Sequence, residues 1–288
     1  MSRSRSDTLL IWTLRCCAAL AGAIVVLICV FLVVESLPAL RHVGLTRFFA
    51  DASWHPAADA SDGTFNMMPM LWGTLLAMAG SVFLATPLGI GSAVFCHYYA
   101  PPAVARPYRR LIELLAGIPS VVYGLWGLVV LVPLIRRLQP PGPSLLAGII
   151  ILTIMILPTI ALVADAALAN VPSHYLSGAA ALGLSRWSTL RGVVFPAAKS
   201  GLLTGVILET GRALGETMAV LMVCGNVVQT PSRIFDPIRT LTANIALEMS
   251  YAMGDHRSAL FVSGLVLLAL IVVLVTAAEV LSKGRIYG

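Results

Sequence analysis

Charge is what this sequence has least of: 11% of its 288 residues are Asp, Glu, Lys or Arg, against 58% hydrophobic. A soluble domain carries roughly a quarter charged residues and just under half apolar ones. A soluble enzyme, a nucleic-acid-binding module and a disordered tail are therefore poor fits. The mean hydropathy of +0.91 points to a polytopic membrane protein instead. Lysine is nearly absent. Lys199 and Lys283 stand beside seventeen arginines, and the net charge is +6. In so apolar a chain the basic surplus sets orientation rather than binding nucleic acid.

Several chemistries lack their residues. The five cysteines (Cys16, Cys17, Cys29, Cys96, Cys224) are odd in number, form no C-x-x-C and lie in apolar stretches, so no disulfide framework is expected. No serine has glycine both two before and two after it, which excludes a nucleophile elbow. His42, His55, His97, His174 and His256 are scattered without an H-E-x-x-H, so no metal site is expected. Met67, Met68, Met70 and Met78 read as packing residues rather than a metal path. Lys199-Ser200 is the only Lys-Ser pair, and Ala198 precedes it where a phosphate-cradling loop has glycine. The chain should not hydrolyse nucleotides by itself and should bind no cofactor.

Long apolar runs are abundant. A helix needs about 20 residues to cross the hydrocarbon core, and six stretches qualify: 9–34, 69–99, 111–135, 144–166, 199–225 and 258–279. The architecture expected is all-α, a polytopic helical membrane protein of about six transmembrane helices. Met1 to Thr8 is basic and precedes an apolar run, as in a signal peptide. That run is longer than a typical h-region and no small-x-small cleavage site follows it, so it reads as a retained first span. Pro87, Pro119 and Pro158 predict bent helices within the second, third and fourth spans.

Orientation follows from the flanking bases. Arg3, Arg5, Arg15, Arg106, Arg109, Arg110, Arg186, Arg191, Lys199, Lys283 and Arg285 fall on one side, eleven in all. Arg41, Arg47, Arg136, Arg137, Arg233, Arg239 and Arg257, seven in all, fall on the other. Both termini are therefore expected in the cytoplasm, with 35–68 and 226–257 outside. Three regions result: a first helix and external loop (1–68), the main membrane domain (69–283) and a cytoplasmic tail (284–288). The one long cytoplasmic connection, 167–198, is expected to be functional because the other connections on that side are short.

The fifth stretch carries Glu209, Arg212 and Glu216 near the middle of an expected membrane helix. Ionisable groups at that depth are costly and mark a functional site by default. At 100° per residue the three fall within an arc of about 60°. Gly201, Gly205, Gly211 and Gly215 lie beside them on a stripe that permits close helix approach. An Arg212–Glu216 pair that only locks packing is the plainer alternative. Two acids beside one base leave a surplus negative charge that such a lock does not need. In the third stretch, Gly117-Ile118-Pro119-Ser120 interrupts helix geometry, and Ser120 and Tyr123 offer hydroxyls. Tight aromatic packing explains the same residues. In the cytoplasmic connection, Ser177-Gly178-Ala179, then Gly183, then Val193-Val194-Phe195-Pro196 predict a short helix–turn–helix with a second corner at Pro196.

The spacing of Ser177-Gly178-Ala179, Gly183 and Val193-x-Phe195-Pro196 resembles the EAA-x3-G-x9-I-x-L-P loop of importer permeases of the ATP-binding-cassette (ABC) class. Ser177 stands where that family usually has Glu, and Gly178 where it has Ala. Gly117 to Trp126, Gly211 to Val220 and Leu241 to Glu248 resemble the phosphate-specific, PstC-type branch. Tyr123-Gly-Leu-Trp126 and Gly215-Glu-Thr-Met-Ala-Val220 favour that branch over its sister permease. The resemblance implies a type I ABC importer permease fold (MetI-like) and, for the 177–196 loop, docking on a separate ATPase. It implies a second permease (PstA-like) forming a heterodimer with this chain and an ATPase dimer (PstB-like) that holds ATP-Mg. It also implies an external phosphate-binding protein (PstS-like). Arg212 and Glu216 match the charged pair of that family's translocation path. From the residues alone, two other readings stay open: an ion-coupled secondary transporter using Glu209, Arg212 and Glu216 as a proton relay, and a membrane-embedded enzyme.

Overall fold

The computed structural model describes residues 5–283; Arg3, Arg285 and the 284–288 tail lie outside the described residues. In chain order the helices are α1 (Arg5–His42), α2 (Arg47–Ala50), α3 (Met68–Val94), α4 (Pro102–Ala116), α5 (Ser120–Trp126), α6 (Val132–Leu138) and α7 (Leu145–Ala169). They continue with α8 (Ser173–Ala181), α9 (Arg186–Thr189), α10 (Phe195–Gly215), α11 (Met218–Val223), α12 (Leu241–Glu248) and α13 (Gly254–Lys283). A two-residue pair, β1 (Trp54–His55) and β2 (Thr64–Phe65), runs antiparallel with Trp54 opposite Phe65. Wider π-helical turns follow α3 (Phe95–Tyr99), join α5 to α6 (Gly127–Leu131) and join α9 to α10 (Leu190–Val194).

Six helical stretches among the described residues are long and apolar enough to cross a membrane: Leu9–His42, Met68–Tyr99, Ser120–Leu138, Leu145–Ala169, Arg186–Gly215 and Gly254–Val280. They correspond one to one with the expected spans, with corrected ends. The third span does not begin at 111, because Gly117-Ile118-Pro119 ends α4 and Pro119 starts α5 in extended backbone. Proline breaks the chain here rather than bending a helix, since the residue before it is steered out of the α region. Pro87 and Pro158, by contrast, lie inside helices that run on past them.

The chain divides into two compact units. The larger holds Met67–Leu247 and the chain from Leu267 onward. At its centre stands α7, which packs against α3, α4, α5, α10 and α11. Its sequence is apolar on every side, the signature of a helix surrounded by others. Ile151, Leu152, Met155, Ile156 and Ile160 are fully buried there. Lipid tails are as apolar as leucine, so tight van der Waals packing rather than water exclusion must hold such helices together. Glycine supplies the closeness. A Cβ at Gly80 would lie 2.6 Å from Ile149 Cδ1, and one at Gly89 would lie 2.7 Å from Ile160 Cγ2 and 3.2 Å from the Leu157 carbonyl.

That contact can be tested. Gly89→Leu would overpack the α3–α7 contact, at a cost of about 1–3 kcal/mol or more, and should cut the yield of monodisperse protein severalfold. Gly91→Leu, two residues on with nothing within 4 Å of its Cβ position, should leave the yield unchanged. Size-exclusion profiles of the two variants check this.

The smaller unit comprises the chain up to Asn66 together with Glu248–Val266. The segment expected as an external loop is folded: α1 runs on to His42, and α2 and the β pair enclose buried Phe48, Trp54 and Phe65. Arg47 places its guanidinium 5.4 Å over the Phe65 ring, with Nη1 donating to the Ala60 carbonyl at 2.8 Å and Nη2 to the Gly63 carbonyl at 2.5 Å. Two acids bind the C-terminal part of the unit to the N-terminal part. Glu248 Oε2 accepts from Trp54 Nε1 at 2.9 Å and lies 2.9 Å from His256 Nε2. Asp255 accepts from the Ala60 N–H at 3.1 Å and pairs with His42 at 2.9 Å. The apolar run of α1 is exposed along its length, as a lipid- or partner-facing span would be.

Candidate functional site

The fifth span is not one helix. α10 stops at Gly215, Glu216 takes an extended backbone (φ −66°, ψ 130°), and α11 begins at Met218. The cause is local. Glycine is a weak helix former, and the Glu216 carboxylate reaches forward three residues to accept the Ala219 N–H at 3.1 Å, capping α11. The Glu216 carbonyl, freed from the helix ladder, accepts the Thr242 hydroxyl of α12 at 2.8 Å.

This corrects the expected charged arc. Glu216 does not share a helical face with Arg212, and the Arg212–Glu216 lock is absent among the described contacts. Arg212 lies 3.6 Å from Glu209 Oε2 across one turn of α10, and its Nη1 donates to Thr159 Oγ1 of α7 at 3.1 Å. The carboxylate of Glu209 is buried, and its Oε2 has no hydrogen-bond partner. The Arg212 side chain is 36% exposed. A partly exposed, always-charged guanidinium is thus held by one hydroxyl and one loosely placed acid, leaving donors free for a second anion.

The glycine stripe divides in two. Gly201 and Gly205 press on Ala167 and Val163 of α7, at 2.6 and 2.9 Å from a built Cβ. Gly211 and Gly215 face open space. Tyr123 is buried, and its hydroxyl donates to the Leu115 carbonyl at 2.7 Å, bridging the break between α4 and α5. Ser120 opens α5 and is half-buried. Gly124 lets α5 approach α11 closely, with a built Cβ 2.9 Å from Ala219 Cα. The structure therefore brings Glu209, Arg212 and Thr159 together, with Glu216 at the adjoining break, and commits Tyr123 to the backbone.

Sequence reasoning missed Thr159, which follows Pro158 in an apolar helix with no spacing to announce it. It also missed Arg239, which donates to the Asn226 carbonyl and to Asn244 Oδ1, each at 3.0 Å, and orders the chain between α11 and α12. Arg109, taken only as a flanking charge, pairs with Asp165 of α7 at 2.9 Å, with His97 at 3.5 Å from the same oxygen.

The 167–198 connection folds as α8, a tight turn, and a helix running from Arg186 onward. Gly183 has φ +69°. Its N–H bonds the Ala180 carbonyl at 3.0 Å, and the Leu184 N–H bonds the Ala179 carbonyl at 3.1 Å. That pair of bonds is a Schellman cap, which favours glycine at this position. Ala179 is buried; Ser177 and Gly178 are exposed, with the Ser177 hydroxyl donating to the Ser173 carbonyl at 3.0 Å. Tyr175, Leu182, Leu184 and Trp187 are exposed around the turn. Pro196 is not a corner. It sits in the first turn of α10 behind the π-helical turn, and the helix passes through it. A proline there loses little, because a wider turn has already shifted the hydrogen-bond ladder. Val193 and Phe195 are half-buried beside it.

The fold and this loop define a class. Residues 85–286 match the family described as the binding-protein-dependent transport system inner membrane component, and the chain belongs to it. It is a permease, a transport component with several membrane-spanning helices. Among curated relatives it is similar to the probable ABC transporter permease protein YqgH of Bacillus subtilis, 39% identical over 93% of this chain and 88% of that one. It is also similar to the phosphate transport system permease protein PstC of Mesorhizobium japonicum, 35% identical over 94% and 86% of the two chains. The solved MetNI methionine ABC transporter in an inward-facing form shares the fold, with a TM-score of 0.62 at 21% identity over 76% of this chain and 97% of that one. The type I, MetI-like expectation is thus met.

Proposed function

We propose that this chain is the transmembrane permease subunit of an ATP-driven phosphate importer, passing inorganic phosphate across the plasma membrane by alternating access. The observation that carries the reading is a partly exposed Arg212 within the fifth span, one turn of α10 from an incompletely bonded Glu209 and just ahead of the break at Gly215. A guanidinium offers two parallel donors to an oxyanion, and Glu209 and Thr159 keep it in place between passages. Glu216 serves the path by holding the break open as the cap of α11, and Ser120 lies on the neighbouring helix.

A second permease of the same fold would complete the path, and an ATPase dimer would supply the energy from ATP-Mg. An external phosphate-binding protein would deliver the substrate. The exposed turn around Gly183, with Ser177, Gly178 and Ala179 on its helix, is the surface offered to the ATPase. Val193, Phe195 and Pro196 form its base. Co-purification tests this: the tagged chain should bring down an ATPase subunit in stoichiometric amount, and recovery of the chain alone would oppose the reading.

Both termini are cytoplasmic in this reading, and the 35–68 and 226–257 segments are outside. In a cysteine-free background, Asp62→Cys should react with an impermeant maleimide added to intact cells, and Ala180→Cys should react only after permeabilisation. The reverse pattern would invert the orientation.

A further inference from the structure

Apart from the Arg212 site, the larger unit carries a groove of about 340 Å³ between α10 and the C-terminal half of α13. Its walls are apolar (Leu203, Val206 and Ile207 face Ile271, Leu274 and Val275), and its one charged lining residue is Lys199 at the N-terminal end of α10. Lys199 also lines an adjoining groove of about 590 Å³ that holds Arg191. Among the described residues neither Lys199 nor Arg191 forms an ion pair. Lys199 thus stands at one end of an apolar slot, with Arg191 in the groove that adjoins it.

The dimensions identify the occupant. Along α10 the wall from Lys199 to Leu214 rises about 22 Å, and the part also walled by Ile271 to Ala278 rises about 10 Å. Both fall short of the roughly 30 Å that a spanning helix of another subunit would need, and they bracket the roughly 15 Å of one leaflet. As successive spans, α10 and α13 cross in opposite directions, so Ala278 lies toward the Lys199 end and Ile271 toward the deep end. An amphiphile whose tail reaches the membrane centre and whose head is anionic matches both the length and the charge.

We infer that this groove is a binding site for one acyl chain of an anionic phospholipid, with its phosphate held by Lys199 and Arg191. In the orientation proposed above the lipid belongs to the cytoplasmic leaflet; the inference rests on that reading only for the choice of leaflet. Occupation ties α10, which carries Arg212, to α13.

The test uses the assembled transporter, with its partner subunits, in detergent micelles with added phosphatidylglycerol or phosphatidylcholine, read by native mass spectrometry. Phosphatidylglycerol should be retained over phosphatidylcholine, by about fivefold for each cation. Lys199→Gln should lower that preference about fivefold, and Lys199→Arg should keep it. Val206→Trp, which fills the slot, should remove the adduct of either lipid. Equal retention of the two lipids by the unaltered transporter, or an adduct indifferent to Val206→Trp, would overturn the inference. So would displacement of the adduct by millimolar inorganic phosphate, which would make this a site for the free anion. Disulfide cross-linking of Val275→Cys to the second permease would overturn it too, by showing a protein helix in the groove. None of these outcomes bears on Arg212, so the transport reading stands or falls separately.

Discussion

Arg212→Ala is expected to lower phosphate uptake per assembled transporter by about 10- to 100-fold, the range set by losing one charge-assisted hydrogen bond of about 1.5–3 kcal/mol. Arg212→Lys keeps the charge and loses the planar fork, so its loss should be smaller, about fivefold to tenfold. The structure decides which second change separates transport from folding. Arg212 is paired with Glu209 and not with Glu216, so alanine at 212 strands the buried Glu209 carboxylate and should also reduce the amount of assembled complex. Arg212→Ala combined with Glu209→Gln removes that stranded charge. Assembly should return and uptake should stay low. If the double variant transports at the unaltered rate, Arg212 is a packing device and the path lies elsewhere. Thr159→Val offers a finer probe, since it removes the hydroxyl that holds Arg212 Nη1 and leaves both charges in place.

The second large effect is expected in the 177–196 loop. Gly183 has open space around its Cβ position, so a side chain there meets no clash. Its φ of +69° is the constraint. A non-glycine L-residue at that angle pays about 1–2 kcal/mol, with Asn the usual exception. Gly183→Trp should therefore distort the exposed turn, and ATP hydrolysis by the assembled transporter should no longer drive uptake. Gly183→Asn should retain coupling. If Trp and Asn both preserve ATP-driven uptake, the turn is not the docking element. Ser177→Glu supplies the acid that the family usually has at this position. The Ser177 side chain is exposed and bonds only its own helix, so that change should be tolerated.

These tests depend on features that the sequence showed unevenly. The six spans were legible because a charge-free run of about 20 residues has few other uses. The Schellman turn was legible in part, since small residues followed by a lone glycine announce a helix end. The break after Gly215 was not. A 3.6-residue periodicity runs through it unchanged, and it takes the forward reach of the Glu216 side chain to Ala219, added to the weak helix former Gly215, to explain why the helix stops. Periodicity therefore placed Glu216 beside Arg212, where geometry does not. Thr159 was invisible for another reason: its importance comes from α7 meeting α10, a contact between residues 53 apart in sequence. Trp54 and Glu248, 194 residues apart, are a still longer case. Pro196 misled because proline usually marks a corner, whereas here a π-helical turn ahead of it absorbs the missing donor.

The most direct test of the account is uptake of radiolabelled phosphate into proteoliposomes holding this chain, a second permease and the ATPase dimer, with the phosphate-binding protein and ATP-Mg supplied on opposite faces. The account predicts uptake that requires ATP hydrolysis, requires this chain, and falls at least tenfold with Arg212→Ala combined with Glu209→Gln. Uptake by this chain alone, driven by a proton gradient and indifferent to ATP, would contradict it.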